Sequence, residues 1–447
     1  MFVRPFMKVV SPRLAPRPRR LAAFGIVALA LAGSAQAQHA EAVRAVHGRH
    51  GNAVTYWNAI AETAFAPTQG TNPMVQSRTF AIFHAAIHDA VNAIDQRFES
   101  YTPGLASAPG ASIDAAVAAA AHDVLLALLP GQAALAESAY TETLAALPDG
   151  AAKAAGIATG QAAAQATLAR RQGDRAEDAT QPVYVPRPGT GEYQFTPPFD
   201  FAAQPGWGGV QPFIVDLRDH ALEGPLPLSS PKYARDLAYV KAIGDINSTM
   251  RTPDQSEIAE FWYEDSPLGW NRIANTVVRQ RGLDPWEAAR TFALVHFAMA
   301  DGFIAGFEAK YRFRFWRPVT AIHNAATDNN PATSPDANWQ PFLTTPPVPD
   351  YPSTHTVLGW AAAEVLIELL GDKQRFTATS LTLPGVTRGF KRFSEAAGEN
   401  GLSRLYAGIH FRHAVRAGRR QGRSIGQAAA EALRPVKKSH PHWSATR

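Results

Sequence analysis

At Ser230-Pro231, Thr252-Pro253 and Asp284-Pro285 this chain sets a capping residue directly before a proline and then continues with helix-compatible residues. A side-chain oxygen at the N-cap accepts from amides that the first turn leaves open, and Pro suits the first helical position because it has no amide to lose. Gln255 and Glu287, three residues after their caps, complete the capping-box pattern. The chain therefore predicts helices from 231 to about 244, from 253 to about 263, and from 285 to Trp316. Ser353 opens a fourth, apolar stretch that ends at Gly371. Earlier helices are expected at 54–65, 73–94, 112–129, 131–146 and 150–172, the last three rich in Ala, the best helix former. No convincing strand pattern is present, so the expected fold is all-α: ten or more helices in packed bundles.

The leader decides how the rest is read. Residues 1–37 combine a basic start, an apolar run from Leu21 to Ala32 and the small-residue pattern Ala35-Gln36-Ala37, the three parts of an export signal, with cleavage expected before Gln38. A run of about 12 apolar residues is short of the ~20 that span a bilayer. The leader carries Arg4, Lys8, Arg13, Arg17, Arg19 and Arg20 and no acid, so removing those six from the formal +5 leaves about −1 on the remaining chain. A nucleic acid partner is therefore not expected, nor is stable membrane insertion. The chain has no Cys, which excludes disulfides, thiolate nucleophiles and Cys-based metal sites. The expected organisation is a signal at 1–37, an N-terminal helical region at 38–228 that ends in a Pro/Gly-rich connection, a C-terminal helical region at 229–435, and a basic tail at 436–447.

The C-terminal region holds the residues that suggest chemistry. Lys310 and Arg317 lie seven residues apart, about two turns on one predicted helix, so both can project from one face, and Pro318 pushes Arg317 out of the α region. Tyr351-Pro352-Ser353-Thr354-His355 places a cap, the amides of a first helical turn and a histidine together, a ready anion site. In Ser403-Arg404-Leu405-Tyr406-Ala407-Gly408-Ile409-His410, Arg404 and His410 converge only if the backbone bends, which Gly408 permits. Each segment alone reads as well as surface helix or turn. Together they supply three cations, a hydroxyl, helix amides and two histidines, a set suited to a multiply charged oxyanion, and one whose cations would repel a free metal ion.

Lys310-x6-Arg317-Pro318, Pro352-Ser353-x-His355 and Ser403-Arg404-x5-His410 resemble, in order and spacing, the three-part signature of the superfamily that joins type 2 phosphatidic acid phosphatases, bacterial acid phosphatases and vanadium-dependent haloperoxidases. The likeness covers roughly 288–433, and Phe313-Arg314-Phe315-Trp316-Arg317-Pro318 resembles the haloperoxidase branch most. The resemblance implies a haloperoxidase/acid-phosphatase-like helical fold. It implies that Lys310, Arg317 and Arg404 hold the equatorial oxygens of vanadate or phosphate with Ser353 and the amide of Thr354. His410 would bond the central atom, and His355 would be the acid–base group on the apical side. The sequence departs from the family pattern at Thr354, where a Gly is usual, and at Ala414, where an acid usually stands four residues after His410. Orientation of His410 then falls to His413 or to an acid elsewhere in the chain.

Two chemistries follow from the resemblance. A haloperoxidase would keep vanadate on His410 and use hydrogen peroxide and halide, with Lys310 polarising the peroxide. An acid phosphatase would cleave a phosphoester through a phosphohistidine, with His355 protonating the leaving group. The aromatic context of Arg317, the large helical first half and the export signal favour the haloperoxidase. A non-catalytic oxyanion-binding protein is the reading from another class, motivated by Ala414. Three further features have blander readings: His84, His88 and Asp89 as core packing rather than a zinc site, Asp301 as either a support to the site or a local pair, and Glu364 with Glu368 as the wet side of their helix. His440 and His442 in the tail read as solvated.

Overall fold

Asp284 accepts from the amides of Trp286 and Glu287, and Glu287 accepts from the amide of Asp284, so the predicted capping box starts the longest helix among the described residues. In the computed structural model, which describes residues 51–436, this helix runs Pro285–Phe313 and forms the centre of the fold. The leader reading on residues 1–37, and the tail histidines His440 and His442, lie outside the described residues.

Thirteen α-helices occur among the described residues. The first five are α1 (Ala53–Phe65), α2 (Pro73–Ile94), α3 (Ile113–Leu128), α4 (Ala133–Ala145) and α5 (Ala151–Arg171), each close to its expected bounds. After an irregular stretch come α6 (Pro231–Ile243), α7 (Pro253–Phe261), α8 (Ser266–Gln280), α9 (Pro285–Phe313), α10 (Pro318–His323) and α11 (Thr354–Leu370). A hairpin of β1 (Phe376–Thr379) and β2 (Thr387–Phe390) precedes α12 (Phe393–Tyr406) and α13 (Arg412–Ala430). The expected all-α fold holds, with α9 packed against α2 on one side and α11 on another. α9 is apolar and long enough to cross a membrane, but 94% of its most apolar window is buried inside the protein, so its apolarity serves packing.

Several details differ from the sequence reading. The antiparallel hairpin, with Phe376 opposite Phe390, was not expected. Only four residues long on each side, its strands bury Phe376, Ala378 and Phe390 against the core, too short a pattern to stand out. Helix α8 was also missed, although Asp265-Ser266-Pro267 carries the same start grammar and Ile273, Ala274, Val277 and Val278 repeat at helical spacing. α9 stops three residues before Trp316: Arg314 takes a left-handed conformation, φ 46°, and ends it. Glu364 is buried rather than wet, held by Arg423 at 3.0 and 3.1 Å and by Gln427 at 2.9 Å, while Glu368 is exposed as expected.

One contact fixes the site's frame. On α13, Gly418, Gly422 and Gly426 face α11 so closely that a Cβ at Gly422 would lie 2.2 Å from the Val357 carbonyl oxygen. Backbone therefore rests on backbone, and the start of α11 is held beside the segment that leads into α13.

Candidate functional site

Arg317 does not share a helix face with Lys310. It is the N-cap of α10, in extended conformation with φ −81° and ψ 158°, as Pro318 after it requires. The turn that brings it back is clamped by the irregular stretch from the first half of the chain. The Tyr193 amide donates to the Arg314 carbonyl at 2.7 Å, and the Trp316 amide donates to the Gly191 carbonyl at 2.9 Å. Both cations then reach the 348–352 loop. Lys310 Nζ donates to the carbonyl oxygens of Pro349 at 2.6 Å, Asp350 at 3.1 Å and Pro352 at 2.6 Å. Arg317 Nε donates to Val348 O at 2.7 Å, and one of its terminal nitrogens donates to Ile409 O at 2.6 Å.

Gly408, with φ 78°, supplies the bend expected after α12 and sends the chain to His410. His410 Nε2 lies 3.0 Å from the same terminal nitrogen of Arg317, and Nδ1 lies 2.8 Å from Asp350 Oδ1. Asp350 is a residue of this cluster that the sequence reading did not name. It is fully buried, and burial pushes it up to about 6 against the pull of Arg317, His413 and Lys310. Its place directly before the Tyr-Pro-Ser-Thr-His segment is the one sequence signal that pointed to it. His413, the other candidate partner of His410, is engaged elsewhere: its amide and Nδ1 both lie on Asp236 Oδ2, at 2.7 and 3.1 Å.

Ser353 caps α11 by position, but its hydroxyl does not cap the helix amides. It accepts from Thr356 Oγ1 at 2.9 Å, and the Ser353 amide donates to Ala414 O at 3.1 Å. Thr354 fits where a Gly is usual because α9 presents Gly306 to it, and a Cβ there would lie 3.1 Å from Thr354 Cγ2. The half-buried His355 pairs through Nδ1 with Ser266 Oγ at 3.0 Å, so the missed helix α8 contributes its first residue to the site. Its Nε2 forms no well-aligned hydrogen bond, although the Trp262 backbone lies close enough to raise the proton affinity of the ring. Arg404 donates to Trp262 O at 3.2 Å, lies 5.5 Å over the Tyr263 ring, and keeps a buried Nε without a partner.

The seven residues singled out, Lys310, Arg317, Ser353, Thr354, His355, Arg404 and His410, are thus brought together, and the cations act on one another. Burial and then Arg317 lower Lys310 well below its ordinary value, burial lowers Arg404 to about 10, and Arg317 is lowered too. Burial, then Arg317, Lys310 and Arg404, hold His410 well below 6.5, which keeps it neutral. His355 is lowered by burial first and Arg404 second. Three cations face a single carboxylate, Asp350, in a dry cluster. That imbalance is costly without a polyanion and favourable with one.

The remaining candidates serve the frame. Asp301 accepts from the amides of Phe213 at 2.6 Å, Ile214 at 3.0 Å and Val215 at 3.1 Å, which ties the irregular stretch to α9. His84 stacks between Phe292 and His296 in the core, at 4.9 and 4.7 Å, and Asp89 accepts from the amides of Tyr101 and Thr102, so the packing reading holds for this helix.

Comparison with known proteins finds likenesses to vanadium-dependent haloperoxidases. Residues 290–438 match the family model of the VCPO second helical-bundle domain. The vanadium chloroperoxidase of Curvularia inaequalis is 29% identical over 237 residues, which is 39% of this chain and 38% of that protein. The aligned part thus spans well under two thirds of that relative. Among solved structures, a bacterial vanadium-dependent iodoperoxidase superposes with a TM-score of 0.74 at 26% identity, covering 85% of this chain and 96% of the other. The holo-type bacterial vanadium-dependent chloroperoxidase gives 0.64 at 18% identity over 80% and 92%, a likeness of fold. The haloperoxidase resemblance read from the three motifs is borne out.

Proposed function

We propose that this chain is an exported, periplasmic or secreted, vanadium-dependent haloperoxidase that oxidises halide with hydrogen peroxide. The observation that carries the reading is the dry cluster of Lys310, Arg317 and Arg404 around His410, with one carboxylate against three cations. Its donor chemistry fits vanadate: the guanidinium groups of Arg317 and Arg404, with the buried unpartnered Nε of Arg404, and the first-turn amide of Thr354 suit oxygens, and the imidazole of His410 suits the central atom. Bound vanadate supplies a Lewis-acid centre that activates hydrogen peroxide toward halide without changing its own oxidation state.

The chain's own residues do the rest. Arg317 and Arg404 hold the oxyanion and balance its charge, with Ser353 and the Thr354 amide at its edge. Lys310 adds a third positive charge from within its nest of carbonyls. His410 is kept neutral so that its lone pair is available. His355, neutral and supported by a hydroxyl rather than a carboxylate, can accept a proton from the incoming peroxide at Nε2 and return it to the departing oxygen. The different partners of the two histidines, Asp350 for one and Ser266 for the other, support these different roles.

The test is turnover by the purified full-length chain. Peroxide with iodide, bromide or chloride should give halogenation that depends on added orthovanadate. If orthovanadate only inhibits hydrolysis of a phosphomonoester, the acid phosphatase reading replaces this one. Oxyanion binding with neither activity would leave a non-catalytic binding protein.

A further inference from the structure

We infer that Ser266 is the positioning residue of His355: its hydroxyl holds the imidazole through Nδ1 and leaves the ring able to take up a proton and give it back. The inference rests on the reading of His355 as the acid–base group, and adds what fixes that group in place.

An acid–base group has to keep one position in two protonation states. Ser266 Oγ lies 3.0 Å from His355 Nδ1, and a hydroxyl can either donate or accept. When Nδ1 carries a proton, Ser266 accepts from it; when Nδ1 is bare, Ser266 donates to it. The contact therefore survives proton uptake and release by the ring. A carboxylate in this place could only accept, and its charge would stabilise the imidazolium and oppose release. No carboxylate acts on the ring: burial and Arg404 of α12 weaken its hold on a proton, and the Trp262 carbonyl strengthens it. His410 is the other titratable group within electrostatic reach. Against the same turn of α11, α9 presents Gly302 and Gly306, and α13 presents Gly418.

A hydroxyl can position a neighbour only if it is itself held. Ser266 is 5% exposed and is the first residue of α8. Asp265, the N-cap before it, does not cap the helix with its side chain. Its Oδ2 accepts from the Gly70 amide at 2.8 Å, and its own amide donates to Gln69 Oε1 at 3.1 Å. Glu264 accepts from the Leu381 amide at 3.1 Å and pairs with Arg272 of α8, which also pairs with Glu62 of α1 at 3.3 Å. The two carboxylates nearest to Ser266 in the chain thus tie the start of α8 to the segment after α1 and to the segment after β1. Through these ties the first half of the chain reaches the acid–base group.

The experiment compares Ser266→Ala and Ser266→Thr with the wild-type full-length chain. A histidine ¹⁵N spectrum without vanadate reads the contact: the His355 Nδ1 signal, assigned by its loss in His355→Gln, should move in Ser266→Ala and return toward its wild-type position in Ser266→Thr. Ser266→Ala should bind orthovanadate as the wild type does, because Ser266 acts through His355, yet lose roughly 10- to 100-fold in kcat with peroxide and halide. Ser266→Thr should recover most of that loss. Packing alone predicts the opposite order, since Ala is the smaller change at a buried position and Thr adds a methyl group. If the Thr variant does not fold, Ser266→Ala with wild-type melting decides alone. An unmoved Nδ1 signal, a wild-type kcat in Ser266→Ala, or a loss of orthovanadate affinity that matches the loss of turnover overturns the role of Ser266. A wild-type chain that halogenates nothing defeats the proposed function instead, and the vanadate-free spectrum still shows whether Ser266 holds His355.

Discussion

Replacing Gly422 with Ala should damage a site that Gly422 does not touch. A Cβ at this position would lie 2.2 Å from Val357 O, 2.9 Å from Trp360 Cβ and 3.1 Å from the Ala361 amide nitrogen. Real Cβ contacts do not fall below 3.0 Å, so α13 must retreat from α11 by about 0.8 Å, and the carbonyl, being backbone, cannot swing aside. Overpacking of this kind costs about 1–3 kcal/mol. The retreat is carried along α13 to Ala414, whose carbonyl accepts from the Ser353 amide at 3.1 Å, and to His410 just ahead of the helix. His410 and the first turn of α11 would part by a similar distance, and a misplacement of ~1 Å can lower turnover roughly 100-fold. Thermal unfolding and turnover with peroxide and halide measure the two effects. Gly398→Ala is the control: Gly398 lies within α12 with nothing within 4 Å of its would-be Cβ, so Ala there should stabilise the helix by about 0.5–1 kcal/mol. A Gly422→Ala variant that melts and turns over like the wild type would refute the argument that backbone contact between α11 and α13 sets the site's geometry.

Three other predictions follow from the same structure. Burial lowers His296 from 6.5 to about 3, so its contribution to stability is complete above pH 6.5 and is lost as pH falls, because the unfolded chain takes up a proton that the folded chain refuses. His296→Gln, which keeps a donor toward Asn271, should flatten urea-unfolding stability between about pH 6 and 4 by up to ~1.4 kcal/mol per pH unit, and an unchanged slope would contradict this. Arg404→Ala should weaken orthovanadate binding roughly 10- to 150-fold, the loss expected for a charge-assisted hydrogen bond of about 1.5–3 kcal/mol; a titration matching the wild type would remove Arg404 from the site. Gly306→Ala should press on Thr354, with a Cβ 3.1 Å from its Cγ2 and 3.2 Å from its Oγ1, and Thr354→Gly should relieve it. A double-mutant cycle on melting should show a coupling of about 0.5–3 kcal/mol, and simple additivity would show that Thr354 does not depend on Gly306 for its place.

Local chemistry was legible in the sequence because it acts over a few residues. Caps followed by Pro set the starts of α6, α7 and α9 to within a residue, since a cap and its helix amides are neighbours in the chain. The positive φ of Gly408 and the extended Arg317 before Pro318 were likewise written in single residues. The kinds of group in the site were legible for the same reason: three cations, two histidines and a helix start are an oxyanion-binding set wherever they meet.

Which groups meet was not legible, because burial and pairing depend on elements far apart in sequence. Lys310 and Arg317 converge through a turn clamped by residues 191–193, not through one helical face. Glu364 looked like a solvent-facing residue of α11 until α13 brought Arg423 and Gln427 over it. His355 found a hydroxyl on a helix that begins 89 residues earlier, and His410 found its carboxylate in an irregular loop held by Lys310. A charge changes its partner at little cost in water and is confined to one partner once buried. The sequence could therefore supply the charges of this site, and only the packing of the helices could assign them.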